Sequence, residues 1–308
     1  MLTIEILSGA SDKFPDADAL VRCLDEGQVC AQCRLWWTNT PTLEGKKTGM
    51  LGDYLAMGNA GARLLLQGAL QELAGRDVQI AVGPMDGSTW RSYRWVTEKG
   101  SEPPFFLEPQ HPAEYPGQFL EAGFRPLAEY FSALADDLSV IDDRLERVAR
   151  RLENDGVILR NLDANRVEQE LRAIFEVSVA GFQENFLYTP LQWEGFRALY
   201  QPLLGRLDSR LIWLAERQGK TVGVVFGFPD FLATVPGETM ILKTVVTLPE
   251  RRLAGLGAWL VGRFHQSARD LGAKRVIHAL MHESNNSRNL SGIYARTMRR
   301  YTLYGKEL

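Results

Sequence analysis

The apolar positions of this chain repeat in two ways, and the change from one to the other marks its elements. Residues 240–248 (M-I-L-K-T-V-V-T-L) are mostly β-branched or aliphatic and predict a strand, which Pro249 ends because proline cannot donate to a ladder. Leu256, Leu260, Phe264, Ala268 and Leu271 then recur at helical spacing until Gly272 stops them. Around this pair the second half predicts a short strand over 157–160, a helix over 166–182 and another over 192–200. A hairpin follows, with strands over 211–216 and 222–228 turning at Gln218-Gly219, and a strand over 275–281 comes after the long helix.

The first half follows the same plan in a worn form. Strands are predicted over 2–7, 28–37, 49–57 and 78–82, with helices near 16–23 and over 63–73. Between the halves, Asp136 and Asp137 start a helix in which Leu138, Ile141, Leu145, Val148 and Leu152 form a narrow apolar stripe. Asp143 with Arg147, and Glu146 with Arg150, are favourable pairs on its wet face. The division read from this pattern is 1–135, a bridging helix over 136–155, and 156–308.

Composition fits two soluble domains. The chain has 308 residues, beyond the usual size of a single core, with 45% hydrophobic and 24% charged positions. A net charge of -3 without a dense Lys/Arg run gives no general reason to expect nucleic acid. The first residues carry no basic and apolar signal pattern, and no long uncharged apolar run occurs, so no membrane is expected and the location is cytoplasmic by default. All three cysteines lie in the first 33 residues. Cys30 and Cys33 fall on a predicted strand, where residues three apart face opposite ways, so they read as strand cysteines and no metal is expected.

The candidate chemistry lies between the long strand and the long helix. Gly255 and Gly257 lack a Cβ, so a phosphate oxygen can reach unpaired N–H groups at the helix N-terminus, and Arg252 adds a charge. The spacing P-x-x-R-x-x-G-x-G, set between a strand and a helix, resembles the pyrophosphate loop of the GNAT N-acetyltransferase superfamily. The order of elements agrees with it. The resemblance implies an α/β (α+β) fold of two tandem GNAT-like domains, each a mixed, mostly antiparallel, splayed sheet flanked by helices.

The resemblance also implies acetyl-CoA as acyl donor, bound chiefly in the second half. The backbone of Val245, Val246 and Thr247 would take the pantetheine arm, and Arg252, Leu253, Ala254, Gly255, Leu256, Gly257 and Ala258 the pyrophosphate, with Asn286 and Ser287 beyond the last strand. The N–H of Val246 or Val245 would stabilise the oxyanion. Tyr294 would protonate the leaving thiolate, with Tyr301 and Tyr304 as alternatives. Many members carry a glutamate in mid-strand as base, whereas this chain has Ile241 and Lys243 there. Glu238 is the nearest acid, and Asp230, Glu283 or an ordered water are alternatives. His278 reads as a core histidine, and Lys243 as a structural residue that must pair or snorkel.

Laid on the second half, the first has Tyr54, Met57 and Asn59 where Arg252, Gly255 and Gly257 stand, so its phosphate loop is lost unless Gly58 and Gly61 replace it through a shifted register. The segment H-P-x-x-Y with a following G-F, His111 to Tyr115 and Gly123-Phe124, resembles the last helix and strand of bacterial GNAT-like domains. Residues 83–94 (G-P-M-D-G-S-T-W-R-S-Y-R) read either as a turn with one aromatic anchor or as an acceptor-recognition segment through Asp86, Trp90, Arg91 and Tyr93.

The function implied is acetyl transfer to the primary amine of a small molecule or peptide by direct attack. The alternatives are an aminoacyl-tRNA-dependent double-GNAT transferase and a non-catalytic acyl-CoA sensor. Neither the acceptor nor the oligomeric state is specified.

Overall fold

The computed structural model describes residues 1–308. The first half runs β1 (Leu2–Ser8), β2 (Ala19–Asp25), β3 (Gln28–Trp36), β4 (Thr42–Leu43), β5 (Lys46–Ala56), α1 (Asn59–Ala74), β6 (Ile80–Gly83), β7 (Trp95–Glu98), α2 (Tyr115–Glu121) and β8 (Arg125–Ala135). The second runs α3 (Leu145–Asn154), β9 (Val157–Asn161), α4 (Val167–Phe182), α5 (Trp193–Tyr200), β10 (Ile212–Arg217), β11 (Lys220–Pro229), β12 (Thr239–Thr247), α6 (Leu256–Asp270), β13 (Arg275–His282), α7 (Ser287–Tyr294) and β14 (Arg296–Glu307).

These strands form one 14-stranded mixed sheet in the order β1-β2-β3-β5-β6-β14-β8-β13-β12-β11-β10-β9, with β4 and β7 as side pairings. The halves exchange their last strands. β14 lies between β6 and β8, and β8 lies between β14 and β13, so each half is completed by the other. Two apolar layers cover the second half. One, under α3, α6 and α7, contains Leu242, Leu256, Leu260, Phe264 and Tyr294, and the other, under α4 and α5, contains Ile174, Phe196, Phe226 and Phe228.

The hairpin turns where the sequence places it, with φ +51° at Gln218 and +73° at Gly219, the backbone that a two-residue loop needs. Two expectations differ. The helix near 16–23 is strand β2, whose near-continuous burial gives an apolar run that periodicity cannot tell from helix. The interdomain helix starts at Leu145 rather than Asp136, because Asp137 turns back to accept from the Ser139 backbone and hydroxyl. It packs on α6, making it part of the second half, and of the two ion pairs expected on it Glu146–Arg150 is formed.

The halves differ most where each sheet splays. β5 and β6 run parallel only from Thr48↔Ile80 to Met50↔Val82. Beyond that the gap is filled by the chain itself, since Met85 N–H donates to Leu51 O at 2.8 Å and Asp53 N–H donates to Asp86 Oδ1 at 2.6 Å. Only Met57 and Gly58 separate β5 from α1, too little chain to wrap a phosphate. In the second half the gap stays open.

Candidate active site

β12 and β13 pair in parallel from Thr239↔Arg275 to Leu242↔His278 and then part. Three features hold them apart. Lys243 sits in an irregularity where β12 shifts register against β11, between Phe226 and Gly227. Leu280 takes φ +61° where β13 slips against β8, and its N–H turns to Ser132 Oγ at 3.0 Å. Gly181 of α4 lies against β12 so closely that a Cβ there would stand 2.3 Å from Val246 Cγ2.

The gap borders a cavity of about 610 Å³. Lys243, Thr244 and Val245 line it from β12, and Ala279 and Leu280 from β13. Aromatic and aliphatic side chains of the α4 and α5 layer, among them Phe182, Tyr200, Phe226 and Phe228, form one wall. The first half contributes Trp90 to Arg94 and Leu107 to Gln110. A second depression, of about 480 Å³, lies over Thr247 to Leu248 and the loop from Pro249 to Ala258, and Leu290 of α7 borders both.

The loop has the backbone an anion needs. Gly255 stands at φ +85° as the cap of α6, and the N–H groups of Gly255, Leu256, Gly257 and Ala258 have no backbone acceptor. A Cβ on Gly257 would meet Leu290 Cδ1 at 3.4 Å and Val245 Cγ1 at 3.8 Å, ordinary contacts beside the depression. Leu253 and Leu256 anchor the loop as buried core residues, and Ala254 and Ala258 border the depression. Arg252 does not line it and pairs with Glu250 at 3.2 Å, while Glu250 and Arg251 border it. Arg151 of α3, which the sequence reading missed, donates to the carbonyls of Arg252 and Ala254 and pins the loop from outside. Val246 is buried, and Ser287 lines the cavity while Asn286 is the exposed cap of α7.

The residues expected to carry chemistry are not all brought together. Glu238 lies at the paired end of β12, five residues and about 16 Å of strand from Lys243, and does not line the cavity. Asp230 is buried, its Oδ1 accepting from the backbone of Phe106 and Leu232. Glu283 is paired with Arg288 and Arg300. Tyr294 stacks on His265 at 4.4 Å between centroids, and its hydroxyl points to the Gly262 side of α6, away from the cavity. Tyr301 donates to Glu108, and Tyr304 is packed under Phe119 in the first half.

Trp90, Arg91 and Tyr93 do reach the cavity. Trp90 enters the second half, donating from Nε1 to Thr189 O at 2.9 Å and packing on Phe182, Tyr188 and Phe196. Arg91 is paired with Asp16 at 2.8 Å. Asp86 stays in the first half, where burial raises its carboxyl above the usual range. Arg94 and Lys243 are the wall residues the sequence reading missed or set aside. Burial first, and then the Arg94 charge, pushes the Lys243 ammonium down to about 8.

A strand-loop-helix with free amides, beside a splayed pair of parallel strands, is the arrangement expected of an acyl-CoA site. Residues 169–291 match the family model described as Acetyltransferase (GNAT) family. That segment of the second half belongs to the GNAT family. The whole chain also superposes on a tandem GNAT protein from the clavulanic acid biosynthesis pathway, at TM-score 0.51 and 12% identity over 100% of this chain and 98% of the other. A GCN5-related N-acetyltransferase from Anabaena variabilis gives TM-score 0.53 and 13% identity over 99% of this chain and 73% of the other. At these identities the two structures establish the GNAT fold. In sequence, 207 residues are 28% identical to a bacterial ceramide synthase of Caulobacter vibrioides, covering 67% of this chain and 53% of that protein. The chain thus spans about half the length of the curated relative it matches. No helix is long and apolar enough to cross a membrane.

Proposed function

We propose that this protein is an acyl-CoA-dependent N-acyltransferase whose acyl group or acceptor is larger than an acetyl unit requires. The observation that carries the reading is the cavity of about 610 Å³ next to the phosphate-loop depression, with Leu290 bordering both. An acetyl group needs only roughly two water volumes, about 60 Å³. The apolar wall of Phe182, Tyr200, Phe226 and Phe228 suits a hydrocarbon chain. The ceramide synthase relative supports this, since a ceramide is an amide of a long-chain amine and a fatty acid.

In the reaction the lone pair of a neutral amine attacks the thioester carbon, a C–N bond forms and the C–S bond breaks. The amine proton is lost to solvent and the thiolate takes a proton on leaving. The free edge of β12 from Lys243 to Thr247 supplies backbone donors for the pantetheine arm and for the carbonyl oxygen as it becomes an oxyanion. The loop amides hold the pyrophosphate.

A non-catalytic acyl-CoA sensor is the second reading, favoured by one observation. The carboxylate on the cavity wall, Glu108, is occupied by Arg299 and Tyr301. Thiol release from acetyl-CoA, octanoyl-CoA and palmitoyl-CoA, each with leucine, isoamylamine and sphinganine, separates the two. Amine-dependent release that rises with chain length is expected. Tight binding of all three thioesters without release would establish the sensor.

A further inference from the structure

The acyltransferase reading leaves the acceptor open, and the charges on the cavity wall select among acceptors. Arg94 is 4% exposed, and its guanidinium stands 3.9 Å from the ring centre of Tyr93 and 4.4 Å from that of Tyr130. Its Nη1 donates to the Tyr93 hydroxyl at 2.8 Å, while Nε has no partner at all. Its backbone is held at φ +72°, a left-handed conformation that a side chain this long adopts only under constraint. Lys243 faces the same cavity, and its ammonium has no hydrogen-bond or carboxylate partner.

Other charges nearby are already satisfied. Glu108 belongs to Arg299 and Tyr301, and Arg91 to Asp16. His278 bonds Ser291 and His265, and burial holds it neutral, as burial and the Arg94 charge also do for His282. Two cations therefore share one cavity without an unpaired anion, an arrangement that is costly until something negative enters.

We infer that the acceptor brings that anion: it is an amine that carries a carboxylate, of the amino-acid type, with the carboxylate held between Lys243 and Arg94. A carboxylate suits the place because the guanidinium, flanked by two rings, keeps an unpaired donor at Nε and the Lys243 ammonium lines the same cavity. Held there, the acceptor's amino group lies in the field of two positive charges. These disfavour its ammonium form and deliver the neutral amine without a carboxylate base. The apolar wall then takes the acceptor's side chain or the acyl chain.

The test compares leucine with isoamylamine, which differ only in the carboxylate, using octanoyl-CoA and thiol release on the full chain. A kcat/KM at least about a hundredfold higher for leucine is expected. Lys243→Met should bring the ratio to within about tenfold, and Lys243→Arg should restore much of it. Equal rates for the two amines, or a preference for isoamylamine, would overturn the inference, and turnover of phosphoethanolamine in place of leucine would replace carboxylate by phosphate. A binding arm keeps the result separate from the acyltransferase reading. In the presence of CoA, N-octanoylleucine should bind the wild type at least about tenfold more tightly than N-octanoyl-isoamylamine, and Lys243→Met should remove the difference. A preference here without turnover of any amine would sink the transferase and keep the anion site. No preference would sink the site even in an active enzyme.

Discussion

His265 Nε2 and His278 Nε2 meet at 2.8 Å inside the second half, tying α6 to β13. His265 Nδ1 has no partner, so the arrangement that leaves no buried proton unpaired puts the proton on His265 Nε2. His278 then accepts at Nε2 and donates from Nδ1 to Ser291 Oγ at 2.9 Å. Burial pushes both rings below the ordinary imidazole range, and a charge on His278 would lower His265 further.

This pair makes stability depend on pH. The unfolded chain takes up protons at these histidines near pH 6.5 while the folded chain does not, so their contribution is present above about pH 6.5 and is lost as pH falls. The melting temperature is expected to drop steadily from about pH 7 to about pH 5, with a shallower slope in His265→Phe. An unchanged slope in that variant would assign the acid sensitivity elsewhere.

Position 257 tolerates a methyl group but not a negative charge. Gly257→Ala should keep acyl-CoA affinity within roughly threefold, since its Cβ makes only ordinary contacts. Gly257→Glu should weaken binding by at least tenfold, about 1.4 kcal/mol, through repulsion of the pyrophosphate. Calorimetric titration with CoA on folded variants decides this, and equal affinity in all three proteins would place the cofactor elsewhere. Gly255→Ala, by contrast, should lower stability by about 1 to 3 kcal/mol because φ is +85° and Val148 Cγ1 would stand 2.9 Å from the new atom.

Tyr294 offers a test of roles. Its hydroxyl faces Gly262, outside the cavity, and burial pushes it up to about 12. Tyr294→Phe is therefore expected to keep kcat within about twofold. A loss of about a hundredfold, the size of a missing general acid, would mean that the ring turns toward the thioester during turnover.

Glu108 is the fourth case. It lies 2% exposed against Arg299 at 1%. Glu108→Gln leaves a buried guanidinium without its counter-charge and should cost about 3 to 5 kcal/mol in urea unfolding.

Local pattern carried the strand, phosphate loop and helix from Met240 to Asp270, because each of those signals is set by neighbours in the chain. The hairpin at Gln218-Gly219 was legible for the same reason. The strand exchange of β8 and β14 was not, since the apolar alternation of a strand does not say which edge it joins. Nor was the pairing of Arg94 with Lys243. One follows a turn in the first half and the other sits in a register slip of the second, and they share a wall only because the cavity brings in residues from both halves.

The interchange of final strands also fixes the order in which this chain can become itself during synthesis. When residues 1–135 have left the ribosome, the β6 edge and both edges of β8 are bare; β13 covers one edge of β8 once residues 275–282 emerge, but the β6 edge and the other β8 edge wait for residues 296–307. A nascent first half is thus a chaperone client by construction, and a chain cut short before Arg296 lacks a strand in the middle of its sheet.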